Sequence, residues 1–213
     1  TVPTGNFGNV LSGWIARRMG TPIGRLVVAS NQNDILTRFF ESGSMRTADV
    51  HPTLSPSMDI QVSSNFERLL FEMNDRDGAA TRDQLTAFRR DGRLDVEPDM
   101  FGEWIEPVFR WGRASDHDTL ATIRSVHEAT GMLIDPHTAV GVKVARENMR
   151  AGVPMVTMAT AHPAKFPDAV ERATGERPRL PAHLADLLDR PERMVRLAND
   201  LGAVQNFVAS VAR

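Results

Sequence analysis

The residues with the clearest chemical potential form the turn at residues 3–9, where Gly5 and Gly8 directly precede a helical pattern at residues 10–19. Glycines open backbone conformations that are closed to other residues, and they let an anion approach main-chain N–H groups without a Cβ in the way. The first N–H groups of a helix lack partners within it, and the helix dipole favours an anion there by about 0.3–1 kcal/mol. The turn therefore predicts a phosphate-binding loop, with a plain structural turn as the alternative.

The spacing of the two glycines excludes two common nucleotide-binding loops. It does not fit the dinucleotide fingerprint GxGxxG, and no Gly-Lys-Ser/Thr follows as it does in a Walker loop. Asparagine side chains in the turn can add donors to those of the backbone. The predicted phosphate ligands are Gly5, Asn6, Phe7, Gly8 and Asn9.

The segment Pro3-Thr4-Gly5-Asn6-Phe7-Gly8-Asn9 resembles the phosphate loop of the threonine synthase family. Members of this family are pyridoxal-phosphate (PLP) enzymes of the tryptophan-synthase-β-like fold type. Four further blocks resemble the same family in its own order, at residues 31–36, 54–70, 134–141 and 159–166. The resemblance covers residues 1 to about 170 and weakens between about 75 and 130.

This resemblance implies a cofactor and a reaction. The loop would hold the phosphate of pyridoxal 5'-phosphate, and Thr160 would hydrogen-bond the pyridine nitrogen; a threonine satisfied at the end of a strand is the alternative for Thr160. The substrate implied is O-phospho-L-homoserine, which a lyase of threonine biosynthesis converts with water to L-threonine and phosphate. Another PLP enzyme of the same fold, such as a β-eliminating dehydratase, stays open.

The resemblance also implies that part of the active site is absent. In this family the lysine that forms a Schiff base with the cofactor precedes the phosphate loop. Only two of the 25 basic residues are lysines, and neither Lys143 nor Lys165 matches that motif, so we expect both at the surface. We therefore expect the C-terminal part of such an enzyme, with no catalytic residue of its own and no activity without the missing N-terminal half. A non-catalytic module that binds phosphate or a partner chain is the alternative.

Several polar residues in the family-like blocks could line a substrate cleft. For Asn33 and Asp34 a helix-capping role is the stronger interpretation. His162 and His137 are candidate acid–base groups, although each adjoins a proline at an element boundary and could be hydrogen-bonded locally. No metal-ligand spacing links the six histidines. The candidate substrate residues are Asn33, Asp34, Ser57, Asp59, Arg68 and His162.

Alternating helical and buried-strand patterns predict an α/β fold, as part of a three-layer PLP-dependent fold with a parallel sheet. We divide the chain into an α/β part of the large domain at 1–73, a mainly helical insertion at 74–130, a return to the α/β domain at 131–175 and a helical tail at 176–213.

Individual elements carry their own signals. Strands are predicted at 25–30, 132–134 and 154–160, and Ser64-x-x-Glu67 and Thr81-x-x-Gln84 fit capping boxes. Further helix starts are predicted at Asn33 or Asp34, at Ser115 or Asp116, and at Asp135.

Composition limits the classes of function. The 213 residues carry a formal charge of −2 with both signs mixed, which argues against nucleic-acid and membrane partners and favours a small molecule. There are no cysteines, and the longest apolar runs are shorter than a membrane span, so we expect a cytoplasmic protein. The chain starts at Thr1, directly before the loop, which suggests a piece of a longer protein.

Overall fold

A three-stranded parallel sheet organises the first of two units, Thr1–Pro178, in the computed structural model, which describes residues 1–212. The strands are β1 Val2–Pro3, β2 Leu26–Ser30, β3 Ser44–Arg46, β4 Arg93–Asp95 and β5 Phe109–Arg113. The strand order is β1-β2-β5, with Val2 opposite Val28 and Val28 opposite Trp111. A second, antiparallel pair joins β3 to β4.

Helices connect and cover these strands, which confirms the predicted α/β class. Short 3₁₀ turns lie at Pro56–Met58, Pro163–Lys165 and Ala182–Leu184. The helices are α1 Gly8–Arg18, α2 Ile35–Ser42, α3 Phe66–Met73, α4 Gly78–Asp91, α5 Pro98–Trp104, α6 Asp116–Thr130, α7 Pro136–Asn148, α8 Pro167–Thr174 and α9 Leu201–Val211.

The central strand β2 is buried on both faces, as its continuous apolar run predicts. Val28 points into a large apolar core, whereas Val27 and Ala29 point into a second cluster with Val140 and Val144 of α7. Five phenylalanines fill the large core with less than 2% of each side chain exposed, and each contributes about 1.5–3 kcal/mol through burial. They are Phe7, Phe39, Phe40, Phe66 and Phe109.

The interpretation of residues 74–130 as a helical insertion is wrong in one respect, because β5 lies inside it and pairs with β2 along its whole length. Strand β4 within the same region pairs with β3. The sequence gives no clear signal for β5, because its arginines and Gly112 interrupt the apolar run. A half-buried strand needs apolar residues at alternate positions only.

Two predicted strands are absent from the described residues. Residues 132–134 have no assigned secondary structure and link a bend at Gly131 to α7, and residues 154–160 have no assigned strand. The latter segment nevertheless runs beside Thr1, whose main-chain nitrogen donates to the Val156 carbonyl at 2.6 Å and whose carbonyl accepts from the Met158 N–H at 2.9 Å.

Helix starts are partly as predicted. Ser115 and Asp118 form a reciprocal capping box at α6, and the Asp135 carboxylate accepts from two amides at α7. The capping boxes predicted at Ser64 and Thr81 are wrong. Helix α3 begins without a side-chain cap, and α4 begins before Thr81, with Asp77 as its N-cap. An aspartate that accepts from the Ala79 and Ala80 N–H groups satisfies that terminus before Thr81 is reached.

The second unit begins at Arg179 and contains α9, which Asp200 caps by accepting from the Ala203 N–H. Within residues 176–212, the predicted helical tail is therefore helical only in α9 and the short turn Ala182–Leu184, and α9 has no buried residue. Of the helices in residues 1–212, none combines the length and apolar character that crossing a bilayer requires.

Candidate functional site

The predicted phosphate loop is held in place by an unusual residue at its centre. Phe7 is the N-cap of α1 and has left-handed backbone angles, φ 64° and ψ −3°. This conformation costs a non-glycine residue about 1–3 kcal/mol. The Phe7 ring is buried against Phe40, Phe66 and Phe109, with ring centroids 5.2–6.4 Å apart, and this burial offsets the strain.

The two loop glycines serve close packing rather than unusual backbone angles, which corrects the expectation that they supply a positive φ. A Cβ on Gly5 would lie 3.0 Å from the Met58 Cα and 3.3 Å from the Ser57 carbonyl oxygen. A Cβ on Gly8 would lie 3.1 Å from the Asn65 side-chain nitrogen. The loop therefore sits directly against residues 57–65.

Hydrogen bonds use the carbonyl groups of the loop and leave its amides available. The Gly5 carbonyl accepts from the Ser63 hydroxyl at 2.9 Å, and the Asn6 carbonyl accepts from the Asn65 N–H at 3.1 Å. Within residues 1–212, no group accepts from the N–H groups of residues 5–9. Five successive amides at the start of an 11-residue helix form a donor set suited to a phosphate group.

A cavity of about 280 Å³ is lined by all five of these loop residues. It brings Thr160 to the same space as the loop, although 150 residues separate them in sequence. Its volume is at the lower end of the range for small-molecule sites. The lining residues are Pro3, Thr4, Gly5, Asn6, Phe7, Gly8, Asn9, Ser57, Met58, His137, Thr160, Ala161 and Lys165.

Of the six candidate substrate residues, only Ser57 lines this cavity. Asn33 and Asp59 are instead paired in a polar network, in which the Asp59 carboxylate accepts from the side chains of Asn31, Asn33 and Thr53 at 2.7–2.9 Å. The network fixes the connection at residues 47–61 to the carboxyl end of β2.

Asp34 occupies the N-cap position of α2 but makes no side-chain cap hydrogen bond. Its carboxylate pairs with the Arg38 Nε at 2.9 Å and the Arg113 Nη1 at 2.5 Å. The hydrogen bond to Asp34 raises the pKa of Arg113. Asp34 thus ties the start of α2 to the end of β5.

The remaining two candidates lie elsewhere. Arg68 lines a larger cavity of about 600 Å³ between α1, α3 and α4. The exposed His162 accepts from the Ala164 N–H through Nδ1 at 3.1 Å, which is a local cap.

Lys165 and His137 line the cavity, although neither was predicted to bind the cofactor or the substrate. Lys165 was expected at the surface; it is exposed, but it also lines the cavity, five residues after Thr160. Lys143 lies outside the cavity, where its Nζ donates to the Arg113 carbonyl at 2.8 Å. His137, a candidate acid–base group from the sequence, lines the cavity and lies two residues after the helix-capping Asp135.

His137 and Asp135 form a buried pair beside the cavity. The His137 Nδ1 lies 2.9 Å from the Asp135 carboxylate, whose side chain is fully buried. Burial on its own raises the pKa of Asp135, but hydrogen bonds from His137 and Thr138 lower it below its ordinary value. No cluster of three or more potential metal ligands occurs in the part of the chain that the structure describes.

Comparisons with known proteins agree across sequence and structure. A family model described as "Threonine synthase, C-terminal" matches residues 138–208. The chain is 52% identical over 211 residues to a threonine synthase of Pseudomonas aeruginosa, covering 98% of this chain and 45% of that protein. It is 43% identical to one of Corynebacterium glutamicum, covering 98% of this chain and 44% of that protein.

Among solved structures, a PLP-bound threonine synthase of Brucella melitensis superposes with a TM-score of 0.90 and 50% identity. That match covers 100% of this chain and 46% of the other. The chain thus spans about half the length of the curated relatives it matches.

Proposed function

We propose that this chain, which corresponds in sequence and fold to the C-terminal portion of threonine synthases, supplies the part of a PLP site that binds the cofactor phosphate. The observation that carries the proposal is the row of N–H groups at residues 5–9, which have no acceptor within the described residues and belong to residues that line one cavity. Such a row matches the oxygens of a phosphate monoester. The nearby Lys165 adds a positive charge on the cavity rim.

Thr160 would accept or donate a hydrogen bond at the pyridine nitrogen. A hydroxyl is a weak acid, so it would leave this nitrogen mostly unprotonated, in contrast to an aspartate. Its place on the lining of the same cavity as the loop supports this role. PLP supplies an electron sink for carbanion chemistry when it is bound.

For the whole parent protein, we propose the conversion of O-phospho-L-homoserine and water to L-threonine and phosphate. The Schiff-base lysine would come from the N-terminal part, so this chain alone would bind and orient without turnover. Assays of phosphate release from O-phospho-L-homoserine by the chain and by the parent would test this division. A cytoplasmic location for the parent stays a prediction.

The cofactor proposal is tested by calorimetric titration of the parent protein with PLP and with pyridoxal, which lacks the phosphate. We expect PLP to bind much more tightly than pyridoxal, since the loop offers its amides to the phosphate. In Gly5→Ala, the new Cβ would press on Met58 at 3.0 Å and displace the loop. Overpacking of about 1–3 kcal/mol would weaken PLP binding roughly fivefold or more.

The matched control is Gly102→Ala, because a Cβ on Gly102 in α5 meets nothing within 4 Å. This variant should bind PLP as the wild type does. Equal affinity for PLP and pyridoxal in the wild-type parent would refute the phosphate site.

A further inference from the structure

We propose that His137 is a positioning residue that clamps the Ser57–Met58 wall of the cavity against the phosphate loop. The proposal rests on the proposed function, which assigns the cavity to the cofactor phosphate. Its geometry stands on contacts among this chain's own residues. No substrate or cofactor contact of His137 is involved.

The ring of His137 is held at both nitrogens. Its side chain is only 5% exposed, and Nδ1 lies 2.9 Å from the Asp135 carboxylate. An ionised carboxylate can only accept, so Nδ1 carries the hydrogen. The other nitrogen, Nε2, is then an acceptor in the neutral ring, and it accepts from the Ser57 N–H at 3.3 Å.

The anchor of this clamp is fixed by the start of α7. The Asp135 carboxylate accepts from the His137 N–H at 2.9 Å and from the Thr138 N–H at 3.4 Å. The Thr138 hydroxyl also donates to it. The Phe166 ring covers the imidazole, with ring centroids 4.6 Å apart. Helix, carboxylate and imidazole therefore form one rigid support.

The clamp acts on the segment that packs against the phosphate loop. The Ser57 carbonyl and the Met58 Cα are the groups that leave no room for a Cβ on Gly5. A shift of Ser57 would therefore displace Gly5 and the loop amides. Because a typical hydrogen bond contributes about 0.5–1.5 kcal/mol, its loss would change phosphate affinity roughly three- to tenfold.

Two substitutions of His137 distinguish the role of Nδ1 from that of Nε2. In His137→Asn, the amide nitrogen can replace Nδ1 and keep the Asp135 contact, but nothing reaches Ser57. In His137→Gln, the longer side chain can present its oxygen to the Ser57 N–H in place of Nε2. We expect Gln to retain PLP affinity close to that of the wild-type parent, and Asn to lose roughly three- to tenfold.

A second readout needs no ligand. Hydrogen exchange of the Ser57 amide should be faster in His137→Asn than in the wild type, and His137→Gln should restore protection. Equal exchange in both variants, or equal loss of PLP affinity in both, would overturn the clamp.

Nitrogen NMR of wild-type His137 covers the case in which a variant does not fold. The clamp requires a neutral ring with hydrogen on Nδ1; a hydrogen on Nε2 would overturn it. A wild-type parent that binds no PLP but shows the expected order of Ser57 exchange would refute the proposed function and support the clamp.

Discussion

Phe7 joins the core and the candidate site in one residue. Its backbone turns the chain into α1 and presents the loop amides, while its ring contacts Phe40, Phe66 and Phe109. A strained backbone at a functional loop persists only when the surroundings determine it, and here the buried ring does so. The geometry of the loop should therefore depend on the core.

Phe7→Ala should lower the free energy of unfolding by about 3–5 kcal/mol, because it leaves a large cavity in the aromatic core. Met19→Ala is the control, since Met19 is 81% exposed and its truncation should change stability by less than about 0.5 kcal/mol. Urea unfolding followed by circular dichroism measures both. Similar losses in the two variants would contradict the anchoring role of Phe7.

Asp135 should make stability depend on pH. Its pKa is lowered in the folded protein, so its stabilising contribution is complete above the ordinary aspartate pKa and is lost as pH falls through the lowered value. Asp135→Asn should therefore be less stable than the wild type at neutral pH, and the gap should narrow below about pH 4.

Urea midpoints across an acid pH series measure this gap. Asp189→Asn, at an exposed position, serves as the control and should track the wild type at every pH. A gap between Asp135→Asn and the wild type that stays constant into acid would count against the folded-state pairing of Asp135.

At the scale of elements, the contact of α7 with the sheet fixes where His137 and the cavity lie. A Cβ on Gly112 of β5 would lie 2.8 Å from a Val144 methyl of α7. Valine cannot rotate freely within a helix, so it cannot give way. This close approach lets α7 lie directly on the strands.

Gly112→Ala should destabilise the fold by about 1–3 kcal/mol through overpacking. The double variant Gly112→Ala with Val144→Ala should recover part of that loss, because the second change removes the clashing methyl groups. A double-mutant cycle from urea unfolding gives the coupling between the two positions. Simple additivity would contradict the close packing of β5 and α7.

Elements with a local signal could be predicted from the sequence. The run of β2, the Asp135 cap before Pro136 and the glycine ends of α2 and α6 each depend on residues that are close in sequence. Strand β5 could not be predicted, because what makes it a strand is its pairing with β2 more than 75 residues away. Tertiary pairing overrides a weak local pattern.

In the whole molecule, the predicted parts of the site lie in continuous segments, whereas the parts that were not predicted lie where distant segments meet. The loop at residues 3–9 is continuous in sequence, so its residues could be predicted directly. The role of Thr160 was predicted from the resemblance to the family. The cavity role of Lys165 and the link from His137 to Ser57 depend on how distant segments meet. Asn33 and Asp59 stand in family-like blocks, yet their side chains are already paired within the fold.

The proposed division of the site between this chain and the N-terminal part of the parent predicts where the cofactor attaches. Treating the parent protein with PLP and borohydride should attach the label to a lysine outside this chain. Lys165 and Lys143 should remain unlabelled, because we propose that Lys165 offers its charge to the phosphate, while Lys143 pairs with Glu147 at 2.8 Å. Peptide mass mapping finds the labelled lysine. A label on Lys165 would place the attachment within this chain and contradict the division.

We propose that the amides of residues 5–9 bind the phosphate of PLP, and a crystal structure of the parent protein with PLP would test this binding directly. We expect phosphate oxygens within about 2.7–3.2 Å of these N–H groups, with the pyridine nitrogen beside the Thr160 hydroxyl. A phosphate held at another place in the protein, with these amides bonded only to water, would contradict it.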